Sequence, residues 1–200
     1  MKSSFYYTIA VIAIVISIIE LSLFFYSTRF TGYATATGTT NVTVTATASI
    51  NFTTNNIDWG SGTVDLGAAR AVLDTSSGAT TNGSWSTQTS GFVIKNIGNV
   101  NVSIALNTGL NATTFIGGVG GSGPGYLYNV TNPTGACVNT TANFPMNIYV
   151  NANTTSTSIC DKLYFTSANN SIRVDIRLII PSDSKSGSLG DTITATYSQA

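Results

Sequence analysis

The sequence predicts a mainly β protein, an antiparallel β-sandwich, preceded by one N-terminal hydrophobic helix. Three observations predict it. Phe5 to Tyr26 is a 22-residue run with no charge except Glu20. From Val42 to Thr53 apolar and polar residues alternate, the signature of a half-buried strand. Beyond it, short apolar-alternating runs are separated by Gly, Asn and Ser, with no long helical period after Tyr26.

The apolar run is longer than the core of a signal peptide and close to the ~20 residues that a membrane span needs. Length therefore favours an uncleaved signal-anchor. Ala34-Thr35-Ala36 fits a small-x-small cleavage pattern, so a signal cut after Ala36 is the alternative. A type IV pilin signal needs a Glu soon after its cut, and Glu20 sits too late in the run. A central Glu in a membrane costs about 2–3.5 kcal/mol, which protonation or reach to the interface relieves; a helix–helix contact is the sharper reading. Lys2 before the run and Arg29 after it bias the N-terminus weakly towards the cytoplasm. The expected organisation is a membrane helix or signal-anchor over residues 1–30, a linker or donor-strand segment over 31–40 and an extracellular β-sandwich over 41–200.

The domain opens on Val42, Val44, Ala46, Ala48, Ile50 and Phe52, which alternate with Thr43, Thr45, Thr47, Ser49, Asn51 and Thr53. Threonine suits a pleated surface and makes a polar face without charge. Phe92 and Ile94 precede a turn signal at Asn96–Asn99, and Val102, Ile104 and Leu106 follow it. Ile172, Val174, Ile176, Leu178 and Ile180 alternate with Arg173, Asp175 and Arg177, up to Pro181. Ser182–Gly190 reads as a loop, and Ile193, Ala195 and Tyr197 as the last strand. Weaker strands are expected near Ile57–Trp59, Thr63–Leu66, Arg70–Leu73, Met146–Val150 and Leu163–Phe165. Six glycines between Gly117 and Gly125 lack the Gly-Lys-Ser/Thr of a phosphate loop, so Ile116–Tyr128 reads as a flexible loop.

Composition narrows the chemistry. The chain is 8% charged, with 8 Lys/Arg against 8 Asp/Glu, where soluble domains average about 25%. Its polarity comes from 32 Thr, 23 Ser and 19 Asn. There is no histidine, which removes Ser-His-Asp and Cys-His catalysis and imidazole metal sites. Zero net charge gives no basic field to hold nucleic acid. Asn-x-Ser/Thr sequons start at Asn41, Asn51, Asn82, Asn101, Asn111, Asn129, Asn139, Asn153 and Asn169. About five are expected by chance, so the nine are a modest excess that marks candidate glycosylation sites on a secreted face. Several fall on strand faces. Cys137 and Cys160 fit the same compartment as a disulfide, and such a closure stabilises by roughly 3 kcal/mol; a reduced pair in the core is the alternative.

The ordered set Thr31-Gly32-Tyr33-Ala34-Thr35, Ile57-Asp58-Trp59-Gly60-Ser61-Gly62-Thr63-Val64, Lys95-Asn96-Ile97-Gly98-Asn99-Val100 and Asp191-Thr192-Ile193-Thr194-Ala195-Thr196-Tyr197 resembles small archaeal cell-surface proteins with a single immunoglobulin-like β-sandwich. More distantly it is similar to subunits of biofilm matrix fibres and archaeal bundling pili. The resemblance implies an extracellular, glycosylated structural module. In fibre-forming relatives an extended N-terminal strand completes the sheet of the next subunit, and Thr35–Thr45 would be the donor here. A retained membrane helix argues against that arrangement.

Three function classes compete. A non-catalytic surface protein, structural or adhesive, anchored or assembled with copies of itself, suits the uncharged faces. A secreted carbohydrate-binding module would stack sugars on Trp59, Trp85, Tyr126 or Tyr128, where Trp59 otherwise reads as core and Trp85 as a loop anchor. An enzyme would need facing carboxylates, and Asp58 and Asp65 are the nearest pair, more simply read as turn residues. No calcium-loop or cofactor signature is present, so no catalytic, cofactor or metal residues are assigned.

Overall fold

The computed structural model describes residues 2–27, 42–140 and 144–200, with side chains of the first segment described over 6–21. The chain divides into two compact units, Met1–Thr43 and Val44–Ala200.

The first unit holds helix α1, Lys2–Ser27. Its Ile, Val and Leu side chains between residues 6 and 21 are exposed, Ile14 for example at 59%. Among the described residues no helix is long and apolar enough to cross a membrane. Ala36 and Asn41 lie outside the described residues.

The second unit is mainly β, with two antiparallel sheets around one core, as expected for a β-sandwich. Its strands are β1 (Ile50–Thr54), β2 (Arg70–Asp74), β3 (Ala79–Thr81), β4 (Phe92–Asn96), β5 (Val102–Thr108), β6 (Gly125–Thr131), β7 (Cys137–Val138), β8 (Val150–Asn151), β9 (Thr157–Leu163), β10 (Ser171–Pro181) and β11 (Ile193–Gln199). One helical turn, α2 (Ala112–Phe115), follows β5 and is capped by Asn111.

Strand β10 organises the larger sheet. At eleven residues it is long enough to serve two short strands end to end. Along one edge it pairs β4 and then β2, and along the other it pairs β6. The gap between β4 and β2 is closed by buried Thr75. Its N–H donates to Ile176 O, and its hydroxyl oxygen accepts from the Ile176 N–H. The sheet is completed by β1 beside β4, β3 beside β2 and β8 beside β6; the smaller sheet runs β11-β5-β9-β7.

Ile172, Val174, Ile176 and Leu178 of β10 enter the core with Val102, Ile104 and Leu106 of β5 and Ile159 and Leu163 of β9, all almost fully buried. Each such side chain contributes about 1.5–3 kcal/mol. The Cys137–Cys160 disulfide, with Cα atoms 5.9 Å apart, joins β7 to β9.

Several expectations need correction. The alternating run that opens the domain forms a strand only at its end, in β1. Val42 and Val44 are exposed, at 79% and 78%. Residues 45–49 lie instead along the 97–99 turn, where the Asn99 side chain donates to Thr45 O and accepts from Thr47 N–H. That turn does not close a hairpin. It carries the chain from one sheet to the other, and Gly98 passes so near Thr47 that a Cβ would stand 2.2 Å from its carbonyl oxygen. No strand forms at 57–59, and residues 63–66 keep only a Val64–Gly83 bridge. Strand β8 starts where the Met146–Val150 expectation ended, and β9 ends where the Leu163–Phe165 expectation began. The glycine-rich segment is not simply a loop. Its last four residues belong to β6, and Gly125 is seated against Ile179. The remainder is tied down: the Asp183 carboxylate accepts from Val119 and Gly120 N–H, and Arg70 donates to Gly121 O. Those amides hold the exposed Asp183 carboxyl below the usual carboxylate range.

Candidate functional site

A groove of about 1400 Å³ opens between the long connection that precedes β2 and the loop that precedes β11. Trp59, Trp85 and Tyr126 line it, as do Asp58 and Asp65. Three of the four candidate sugar-stacking aromatics therefore border one groove, Tyr126 as a buried ring at its floor. The fourth, Tyr128, lies apart in a smaller hollow, stacked on Phe144 at 5.8 Å and 3°.

The groove wall is built by local packing. Trp85 is clasped by two glycines: a Cβ on Gly62 or Gly83 would approach its ring to 2.4 or 2.8 Å. Asp58 closes a turn by accepting from the Gly60 N–H at 2.7 Å, and Gln88 donates to its carbonyl. This is the turn role that its sequence context suggests. Buried Tyr126 has its phenol pKa raised, first by burial and then by the nearby Asp191 carboxylate. Trp59 Nε1 and Asp191 Oδ2 are both buried without a hydrogen-bond partner, which makes this wall costly unless something satisfies them.

On the outer face of the larger sheet lies a polar cluster that the sequence did not disclose. Arg177 donates to Asp74 at 2.5 Å and lies over the Tyr149 ring, 3.9 Å from its centre. The Tyr149 hydroxyl donates to the same carboxylate at 2.6 Å. One step along β10, Arg173 pairs with Asp175 at 2.6 Å and also donates to the carbonyls of Thr75 and Thr89. Asp74 and Asp175 are buried. Burial alone would raise Asp74, but hydrogen bonds from Tyr149, Arg177 and the Ser76 N–H outweigh it and hold the carboxyl low. Burial and the Asp74 carboxylate push the Tyr149 phenol up. The bonds of this cluster are made within the fold, and those of Arg177 and Tyr149 to Asp74 fasten β2 to β10.

The sequons separate by burial. Asn51, Asn82, Asn111, Asn153 and Asn169 are exposed, and Asn101 and Asn139 are half-buried. Asn129 is buried opposite Asp175 in the sheet. A glycan has no room there, which removes it as a candidate. The Asn139 amide donates to Ile159 O, so that position is engaged too. Among the described residues no group of His, Cys, Asp or Glu is arranged to hold a metal ion. Comparison of the chain with protein-family models, curated proteins and solved structures finds no match in any of the three.

Proposed function

We propose that this protein is a non-catalytic structural or adhesive module of the cell surface, held to a membrane by α1, with its β unit outside the cell. The observation that carries this is α1 itself. Ile9, Val11, Ile12, Ile14, Val15, Ile16, Ile18 and Leu21 are exposed and, at 3.6 residues per turn, spread over about two thirds of the helix circumference, with Ala10, Ala13, Ser17 and Glu20 on the remaining third. Such a surface needs an apolar surrounding. The 26 residues of α1 rise about 39 Å, more than the ~30 Å hydrocarbon layer. The Cys137–Cys160 disulfide supports an oxidising compartment. The exposed sequons support glycosylation there.

The test is flotation of the full chain with phosphatidylcholine vesicles after an alkaline wash. The wild type should float, and Ile14→Asp should float much less. A wild-type chain left at the bottom of the gradient contradicts the anchor. An assembled form would use Thr35–Thr45 of one copy on the sheet of another; exposed Val42 and Val44 favour it.

A second reading, a carbohydrate-binding module, rests on the groove that gathers Trp59, Trp85 and Tyr126. Retention on insoluble polysaccharide, lost in Trp59→Ala, would support it, and no retention on a broad glycan panel would remove it.

A further inference from the structure

Among the described residues, the free edges of the two sheets are unequal. In the larger sheet β3 and β8 have three and two residues, and β1 carries a register shift against β4. In the smaller sheet β7 has two residues. Strand β11 differs: it has seven residues, and its pairing with β5 runs unbroken from Ile193 to Gln199.

The ladder fixes which groups face outward. The Gly109 N–H donates to Thr192 O, and the Ala200 N–H donates to Asn101 O. In an unbroken antiparallel ladder, bonding residues alternate, so the even-numbered residues of β11 face β5. The N–H and C=O groups of Ile193, Ala195, Tyr197 and Gln199 therefore point to the open side. The sequence Ile193-Thr194-Ala195-Thr196-Tyr197-Ser198-Gln199 contains no charge and no proline. Proteins usually blunt a free edge with lysine, proline, a bulge or brevity. None of these devices is present on this one.

We propose that β11 is a self-docking edge: two copies pair antiparallel through it, about a two-fold axis at Thr196, and join two four-stranded sheets into one. That register uses the whole strand. Ile193 pairs with Gln199, Ala195 with Tyr197, and Thr194 with Ser198, while Thr196 faces its own copy. The odd-numbered residues exchange backbone hydrogen bonds. The even-numbered ones, all exposed, bring hydroxyl groups together on one face, where Thr–Thr and Thr–Ser pairs are favourable. A second copy fits because the strand is its own complement and meets no like charge. The pairing is independent of how the chain is anchored.

Thr196→Cys tests it in the full chain in detergent micelles at high concentration. Cys137 and Cys160 are paired, so the new thiol has no free native thiol to compete with it. Thr196 facing Thr196 is a non-hydrogen-bonded pair with Cα atoms about 4.5 Å apart, within the range a disulfide spans. Mild oxidation should convert Thr196→Cys mostly to a covalent dimer, at least tenfold more than the exposed control Ser167→Cys. Adding Thr194→Lys and Ser198→Lys sets ammonium groups face to face and should abolish the dimer, while a thermal melt shows the monomer still folded. The proposal is overturned if Thr196→Cys cross-links no more than Ser167→Cys, or if the lysine pair leaves cross-linking unchanged.

Discussion

Strands β10 and β11 both alternate, and Ile193 and Ala195 of β11 pack against the core that β10 fills, yet their polar faces are opposites. The polar face of β10 carries Arg173, Asp175 and Arg177, with both carboxylates that they bind buried. That of β11 carries Thr194, Thr196 and Ser198, all exposed. The contrast inverts the usual use of charge. The scarce charges join pieces of the fold, as when Asp183 holds the glycine-rich turn and Arg70 its carbonyl. Hydroxyl groups meet the solvent instead. A surface of that kind has little like-charge repulsion and suits close packing beside identical neighbours.

The contrast can be broken from either side. The largest effect is expected in the core beneath β10: Ile176→Ala should cost about 3–4 kcal/mol, read as a fall in the urea midpoint. Arg177→Ala removes the partner of a buried carboxylate. Because the arginine side chain is about a third exposed, the loss should be about 2 kcal/mol, below the range for fully buried pairs. Replacing Thr194 with Lys on β11 should change monomer stability by less than about 0.5 kcal/mol. If the β11 change proves as costly as the β10 change, the two faces do not divide the work in this way.

Acid sharpens the same comparison. The folded-state pKa of Asp74 lies below its ordinary value of 3.8. Its contribution is therefore complete above about pH 4 and is lost as pH falls through the lower folded value. Tyr149 has the opposite sign: its raised pKa stabilises the fold below about pH 10 and is lost as pH rises past the ordinary tyrosine range. Tyr149→Phe should cost about 1 kcal/mol at neutral pH and flatten both limbs of the stability profile. Equal acid and alkaline slopes in wild type and variant would count against the cluster as the source.

Periodicity disclosed β5, β10 and β11, because in each the apolar side chains alternate with polar ones and lie on the more covered side for most of the strand. It misplaced residues 42–49, since alternation shows that a strand is possible and not that a partner is beside it: β4 turns away at Asn96. It missed β6, where Tyr126, Leu127, Tyr128, Asn129 and Val130 run with five largely covered positions, so no two-residue period is visible. The aromatics that meet in the groove were named from the sequence, but not their meeting. Nothing local could reveal the Asp74 cluster, whose partners Tyr149 and Arg177 lie 75 and 103 residues away.

The placement of the β unit outside the cell is tested most directly by labelling intact cells with a membrane-impermeant amine reagent and mapping the modified lysines. Lys162 and Lys185 are exposed. The account predicts that both are modified on intact cells as fully as in a lysate. Modification only after lysis would contradict it.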